Sequence, residues 1–526
     1  MRKTIIVLSF CFTIALPLIA KETLLKVTTD PNTTVEQLVR LNLKVVAWFE
    51  QFCLVQADED ELIRLNRLGV SFQKIDLPEG KELFYVWTAP GFDRQRLAQF
   101  GTPLTEDKNG VLLATAESNL LYLNRLPVQL RRISLAPAKP SLNLPIPPRV
   151  MVSESLLLEL VSRVSADSVL ASIQRLQDFY TRYSTTDSCR SAVNWMREKL
   201  IAYGCDSTAL ETFFPDYAPN CIGVKKGKVN PNQIYIICGH IDNTSDYAPE
   251  RCPGSDDNAS GTTAVLEAAR VFQDIEFDYS VYFIGFSGEE QGLYGSEYYA
   301  QQAHLRGESI VAVLNFDMIS YGRENRDSFN VIGRNISPDC AWLVDSFIAN
   351  AQTYTTLKTR RRLVNPGQQE NSDHASFWHE GYVAFCGIER DFTPMYHTIG
   401  DTIGPLYFRY CGTNNWFLAT EAIKAAVVTV AKLAGASIQT GIAEKPGAIS
   451  RLAVSPSVGR PPFYLKTPFI AEVEVFDALG KRVKSVNAAC FWDGKDQKGA
   501  QVKPGVYLLR WKDAPSASAT KLIITP

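Results

Sequence analysis

A handful of side chains in the middle of the chain have types suited to holding divalent cations and moving a proton. They are His240, Asp257, the pair Glu289 and Glu290, Asp317 and His397. Two imidazoles together with carboxylates suit borderline ions, chiefly zinc. A carboxylate has two oxygens, so one of them can bridge two ions, and five side chains then serve two metals. Asp257 is the natural bridge, because it is short and because Ala259 and Gly261 let the backbone come close. Asp242 follows His240 by two residues and can accept the other ring N–H, which fixes the imidazole tautomer. In the Glu289-Glu290 pair, one carboxylate binds metal and the other stays free to take a proton from activated water. Tyr396, beside His397, can donate its phenol O–H to a developing oxyanion.

Taken singly, each residue has an ordinary explanation. A histidine at a strand end is commonly a turn residue, adjacent glutamates usually make a solvated face, and Asp-Asp-Asn before a glycine is a helix cap or turn. The elements around them argue for the set. Apolar strand runs at 233–238, 280–286 and 310–316 end just before His240, Glu289-Glu290 and Asp317, and a further strand run at 383–388 precedes His397. Helical spacing at 261–272 follows Asp257, and further helical patterns span 156–164, 169–183, 192–203 and 418–434. Strands alternating with helices predict an α/β domain over residues 150–437, a mostly parallel sheet flanked by helices. In such sheets ligands bind at the carboxyl ends of the strands, where these residues fall. His304, His374 and His379 read as structural or surface residues, with Asp373 and His374 at most a support behind the site.

The block resembles the co-catalytic di-zinc peptidase family (clan MH) that includes bacterial leucyl aminopeptidases and the glutamate carboxypeptidases. The matching stretches are Gly239-His240-Ile241-Asp242, Asp257-Asn258-Ala259-Ser260-Gly261 and Phe286-Ser287-Gly288-Glu289-Glu290-Gln291-Gly292-Leu293-Tyr294-Gly295-Ser296. They continue with Asn315-Phe316-Asp317-Met318, Ser372-Asp373-His374 and Tyr396-His397-Thr398 with Asp401-Thr402. The resemblance implies two Zn2+ per chain. One is held by His240 and Asp317, the other by Glu290 and His397, with Asp257 bridging. It also implies Glu289 as general base and Tyr396 as oxyanion donor, in a metallo-exopeptidase acting on peptide substrates, with an aminopeptidase as first choice. Carboxypeptidase action or glutaminyl cyclisation on the same scaffold is the alternative, as is a surface binding protein with a vestigial site. For a carboxypeptidase, Arg360 to Arg362 or Arg390 would receive the terminal carboxylate.

Around this block the chain has other parts. Arg2 and Lys3 precede an apolar run from Ile5 to Ile19, and Ala20 is a small residue at a cleavage point, so residues 1–20 read as a signal peptide. The protein is then expected outside the cell or at its surface, with no membrane span after signal removal. Residues 21–140 contain an α+β tandem repeat: Leu54-Val55-Gln56-Ala57 through Leu68 recurs as Leu112-Leu113-Ala114-Thr115 through Leu126. Each copy reads as strand, helix, strand, and the region is either a pro- or accessory domain that covers the enzyme, acting as its inhibitor, or a spacer. A Pro- and Ala-rich linker runs from Ala136 to about Pro148. Residues 447–526 carry short strand runs with turns, a β-sandwich pattern. They resemble the immunoglobulin-like modules that bacteria append to exported proteins, which implies contact with secretion machinery. The matching residues are Val475-Phe476-Asp477, Trp492-Asp493-Gly494, Gly505-Val506-Tyr507 and Lys521-Leu522-Ile523-Ile524. A net charge of −2 argues against nucleic acid as a partner. Cysteine spacing gives no disulfide framework, and Cys238 and Cys386 read as inert buried thiols.

Overall fold

The structure is a computed structural model. It describes residues 22–28, 41, 43–142, 151–324, 327–336, 338–438 and, toward the C-terminus, 453–455, 458–459, 461, 463–466, 472–487, 491–511 and 519–525. The expected signal segment and the second half of the expected linker lie outside the described residues. The chain divides into two compact units, one ending at Gln439 and one beginning at Thr440.

The first unit opens with β1 (Thr23–Thr28), β2 (Lys44–Trp48), β3 (Phe52–Ala57), α1 (Glu59–Arg67), β4 (Phe72–Lys74), β5 (Glu82–Thr88), β6 (Gly101–Glu106), β7 (Gly110–Thr115), α2 (Leu120–Asn124) and β8 (Val128–Arg132). These strands form two four-stranded antiparallel sheets of matching order, β2-β3-β1-β4 and β6-β7-β5-β8. The two similar sequence stretches fall on β3 and β7, in the same place in each sheet. Each copy also has two strands that self-similarity did not mark. Alternation along the strands puts Val46, Phe52 and Leu54 of one sheet and Leu83, Tyr85 and Leu112 of the other into a shared core. The linker start is not loose: Ala138 donates its N–H to Val45, and Lys139 and Leu142 donate theirs to His379 and Gly381.

The central block continues with α3 (Glu154–Arg163), α4 (Ala166–Gln177), α5 (Asp187–Ala202), β9 (Ser207–Glu211), β10 (Asn220–Lys225), β11 (Asn230–His240), α6 (Ala259–Val271), β12 (Ile275–Phe277), β13 (Tyr279–Phe286), α7 (Tyr294–Leu305), β14 (Ser309–Phe316), β15 (Phe329–Arg334), α8 (Ala341–Tyr354), β16 (Thr359–Val364), α9 (His374–His379), β17 (Ala384–Glu389), α10 (Trp416–Ala434) and β18 (Ala436–Ile438). Eight strands form one sheet in the order β16-β15-β17-β14-β11-β13-β10-β9. The expected parallel arrangement holds in the middle, where β17, β14, β11 and β13 run the same way. The sheet as a whole is mixed, because β10 and β9 are added antiparallel on one side and β15 antiparallel on the other. The central strands are covered on both faces and read as unbroken apolar runs. The antiparallel neighbours β10 and β15 are largely buried too, and only the edge strands β9 and β16 are partly solvated and carry polar residues. The short connection between β9 and β10 cannot make the crossover that parallel strands need. On one face Val169, Met196, Val265, Phe347 and Val427 come from α4, α5, α6, α8 and α10. On the other, Tyr299, Phe377 and Trp378 come from α7 and α9.

The second unit has a three-stranded and a five-stranded sheet. Phe463 and Trp492 from the first share a core with Val473, Val475, Leu509 and Leu522 from the second. Among the described residues every cysteine is free. Cys238 and Cys386 are buried, and burial pushes both thiols well up.

Candidate metal centre

The long apolar strands deliver the candidate ligands to one edge of the sheet. His240 is the last residue of β11, Asp317 immediately follows β14, and Glu289 and Glu290 lie in the turn after β13. Asp257 sits just before α6, whose cap is Asn258. The Asn258 Oδ1 accepts the Gly261 N–H at 2.7 Å and the Met318 N–H at 3.2 Å, and its amide donates to the Phe316 carbonyl at 3.0 Å. One capping residue therefore ties the start of α6 to the end of β14. A Cβ on Gly261 would run into the Phe316 carbonyl, so glycine is required at that crossing. His397 and Met318 adopt left-handed backbone conformations, at φ 54° and 50°. Such conformations are costly for these residues and persist where the surroundings hold them.

The five candidate ligands meet. Asp257 Oδ1 lies 3.3 Å from His240 Nε2, and Asp257 Oδ2 lies 3.3 Å from His397 Nε2. His240 Nε2 is also 3.4 Å from Asp317 Oδ1, and His397 Nε2 is 3.0 Å from Glu290 Oε2. Glu289 stands beside the first pair, with Oε2 4.0 Å from His240 Nε2. All six side chains are buried. Tyr396 is half-buried and stacks on His397, with ring centroids 3.7 Å apart. Burial and the carboxylates of Asp257 and Glu290 hold its phenol un-ionised.

The electrostatics are those of a cluster made for cations. Burial opposes charge on His240, but Glu289 and Asp317 overcome it and push its pKa well up. His397 is raised to about 10, with Glu290 overcoming the effect of burial. Burial and the nearby Asp257 raise Glu290 to about 7, and burial also pushes Glu289 well up. Asp257 is held low in spite of burial, because both imidazoles stand 3.3 Å from its oxygens. The cluster gathers protons where cations would otherwise stand. Glu290 Oε1 and His397 Nε2 are buried without a hydrogen bond of proper geometry. His240, Glu289 and Asp317 offer ligand atoms within 4.8 Å of one another, as do His240, Asp257 and Glu290. The donor set and its orphaned atoms fit divalent metal.

The expected role of Asp242 needs correction. His240 Nδ1 faces the main-chain carbonyl of Asp242 at 3.1 Å, while the nearer carboxylate oxygen is 3.7 Å away. The carboxylate is occupied elsewhere. It accepts the N–H groups of Glu289 at 3.3 Å and Glu290 at 3.2 Å and the Ser184 hydroxyl at 2.8 Å. Asp242 therefore shapes the two-glutamate turn with its side chain and fixes the histidine with its backbone. Asp373 is fully buried behind the site, with both oxygens lacking a hydrogen bond. Burial raises it to about 7 against the pull of His240. His374 Nε2 donates to the Gln369 carbonyl (2.8 Å) and its ring stacks edge-on against Trp378, a structural histidine.

Sequence reasoning missed several supports. The fully buried Arg182 donates to the carbonyls of Leu176, Ile241, Pro253 and Gly254 at 2.8 to 2.9 Å, which ties the end of α4 and the chain just after β11 to the loop that leads into Asp257. A lone arginine in a loop carries no such signal. His397 Nδ1 faces the Val128 carbonyl of the N-terminal domain at 3.1 Å.

Comparison with known proteins agrees with this geometry. The family model described as Peptidase family M28 matches residues 220–412, a segment that contains all the candidate site residues. A protein of Pyrenophora teres f. teres named "Probable zinc metalloprotease" is 29% identical over 199 residues, covering 33% of this chain and 41% of that protein. Leucine aminopeptidase 1 of Sclerotinia sclerotiorum is 27% identical over 294 residues, covering 52% of this chain and 71% of the relative. The chain thus spans about two fifths of the length of the first relatives it matches. In fold, the structure is similar to the LapA aminopeptidase of Legionella pneumophila, with a TM-score of 0.53 at 22% identity, covering 67% of this chain and 98% of LapA. The central block of this chain therefore contains a segment, residues 220–412, that matches Peptidase family M28.

Proposed function

We propose that the protein is a secreted, zinc-dependent exopeptidase that hydrolyses the N-terminal peptide bond of peptides. The observation that carries this reading is the position of Asp257, one carboxylate oxygen 3.3 Å from each of two histidines. A single side chain so placed serves two cations, with His240 and Asp317 completing one position and Glu290 and His397 the other. Zinc held there supplies Lewis acidity for activating water and polarising a peptide carbonyl. Glu289, left outside both ligand sets, takes the proton from water at its carboxylate and passes it to the leaving amine. Tyr396 donates its O–H to the developing oxyanion.

The mode of substrate binding follows from burial and charge. A site whose ligand side chains are all buried admits a chain end more readily than the middle of a peptide. A free α-ammonium is attracted by Glu289 and the surrounding carboxylates. Carboxypeptidase action fits less well. Arg360, Arg361 and Arg362 are exposed on β16, the edge strand, three places from β14, and Arg361 already pairs with Asp345 at 2.6 Å. A vestigial site is disfavoured by the retention of every ligand in one cluster.

Export rests on the apolar run from Ile5 to Ile19 and its basic flank. Among the described residues no helix is long and apolar enough to cross a membrane. Residues 447–526 then act as an immunoglobulin-like module for secretion or attachment. The test is metal analysis of the purified chain together with an assay on matched free-amine, N-acetylated and C-amidated peptides. Two zincs per chain and cleavage confined to peptides with a free amine are expected. Cleavage of the N-acetylated peptides would overturn the aminopeptidase reading.

A further inference from the structure

Both candidate histidine ligands use the same device, with different owners. A neutral imidazole that gives Nε2 to a metal must keep its proton on Nδ1 and needs an acceptor there. For His240 the acceptor is the Asp242 carbonyl at 3.1 Å, from the same loop. For His397 it is the Val128 carbonyl, also at 3.1 Å, from the N-terminal domain.

The reason lies in the sheet. β8 pairs with β5 on one side, and among the described residues its other edge has no strand partner. Edge groups need partners when they are covered. Here they find them on the metal centre: Val128 faces His397, and the Arg132 N–H donates to the Gly292 carbonyl at 3.2 Å. Just before β8, the Asn124 side-chain amide donates to the Glu290 carbonyl at 2.5 Å, and the Asn124 carbonyl accepts the Thr244 hydroxyl at 3.3 Å. The contacts to His397, Glu290 and Gly292 converge on the two ligands of one proposed metal position. Gly292 lacks a Cβ where one would stand 2.7 Å from the Arg132 nitrogen, at a φ of 122°. The join is built as an interior. Phe84, Val86 and Leu130 share a core with Tyr217 and Tyr294 of the central block, and Glu370 is buried between Arg131 and Arg334.

We propose that the segment Asn124–Arg132 is a permanent support of the metal position formed by Glu290 and His397. Val128 is a positioning residue through its carbonyl and Asn124 through its amide, and the N-terminal domain stays with the enzyme rather than leaving as an inhibitory pro-segment. This rests on the two-zinc reading above.

The test uses the full chain. In one variant, Asn124→Ala removes the amide. In another, a specific protease site replaces residues 143–148 and is cut after folding. Two zinc dissociation constants are measured by competition with a chromophoric chelator, and thermal unfolding of the metal-free proteins is recorded alongside. Asn124→Ala is expected to weaken one of the two zincs by about 10- to 100-fold and the other by less than about threefold. Its metal-free melting curve should be nearly unchanged. The cut protein is expected to elute as one particle with both zincs and full turnover. Unchanged affinities in Asn124→Ala, or a cut protein that sheds its N-terminal piece and gains activity, would overturn the proposal. Should Asn124→Ala fail to fold, the cut protein decides alone. If the wild type binds no zinc, the two-zinc reading falls first; if it binds two and the variants behave otherwise than expected, this inference alone falls.

Discussion

Asp401 accepts the backbone N–H of Asp257 at 3.0 Å through Oδ2. Its other oxygen takes the N–H of Asp256 at 2.9 Å and the Ser255 hydroxyl at 3.0 Å. The proposed bridging carboxylate is thus aimed by a second carboxylate that bonds to its backbone and not to its side chain. Asp401→Ala is expected to cost about 10- to 100-fold in affinity at both metal positions, since Asp257 serves both. Zinc titration against a chelator reads this. An effect confined to one position would show that Asp257 does not bridge.

Glu289 is the group expected to move the proton, and the proposed assignment keeps it outside the ligand sets. Glu289→Gln keeps size and burial but removes the base. Turnover should fall by about 100- to 10,000-fold with zinc content unchanged. Asp257→Ala, by contrast, should lose metal and activity together. Atomic absorption beside a steady-state assay separates the two patterns.

Arg182 satisfies four buried carbonyls, and among the described residues no carboxylate is close enough to pair with it. Arg182→Leu leaves those acceptors stranded, although it also spares the desolvation of a buried charge. A net loss of about 2 to 4 kcal/mol is expected, read as a lower urea midpoint. A loss below about 0.5 kcal/mol would mean that water replaces the guanidinium.

Glu370 links the N-terminal domain to the central block with a pH signature. Burial alone would raise its carboxyl, but Arg334 and Arg131 hold it down to about 2. The folded value lies below the ordinary glutamate range, so the stabilisation is complete above that range and disappears as pH falls toward 2. Glu370→Gln should be less stable than wild type at neutral pH, and the gap should close on acidification. Denaturation midpoints across that range, at fixed ionic strength, check the sign.

The middle of the fold was readable because β11, β13 and β14 are buried on both faces and so are written as unbroken apolar runs, each ending near a charged residue. The flanks were not. β16 reads Thr-Arg-Arg-Arg-Leu-Val, with its arginines in solvent, and lacks the apolar signal of a core strand. The candidate ligands were legible as side-chain types at strand ends. Their supports were less so. Asp242 works through its backbone on one partner and its side chain on others, and the spacing of residues cannot tell these apart. The Val128 carbonyl is invisible for the same reason, because every residue has one and only the fold decides where it points.

The ribosome makes Val128 well before it makes His397. Domains nearer the N-terminus generally fold first during synthesis. By that order the edge of β8 would be formed before the last proposed ligand emerges, and the central block would close onto a surface already in place. The order of translation would then supply a template for finishing the site.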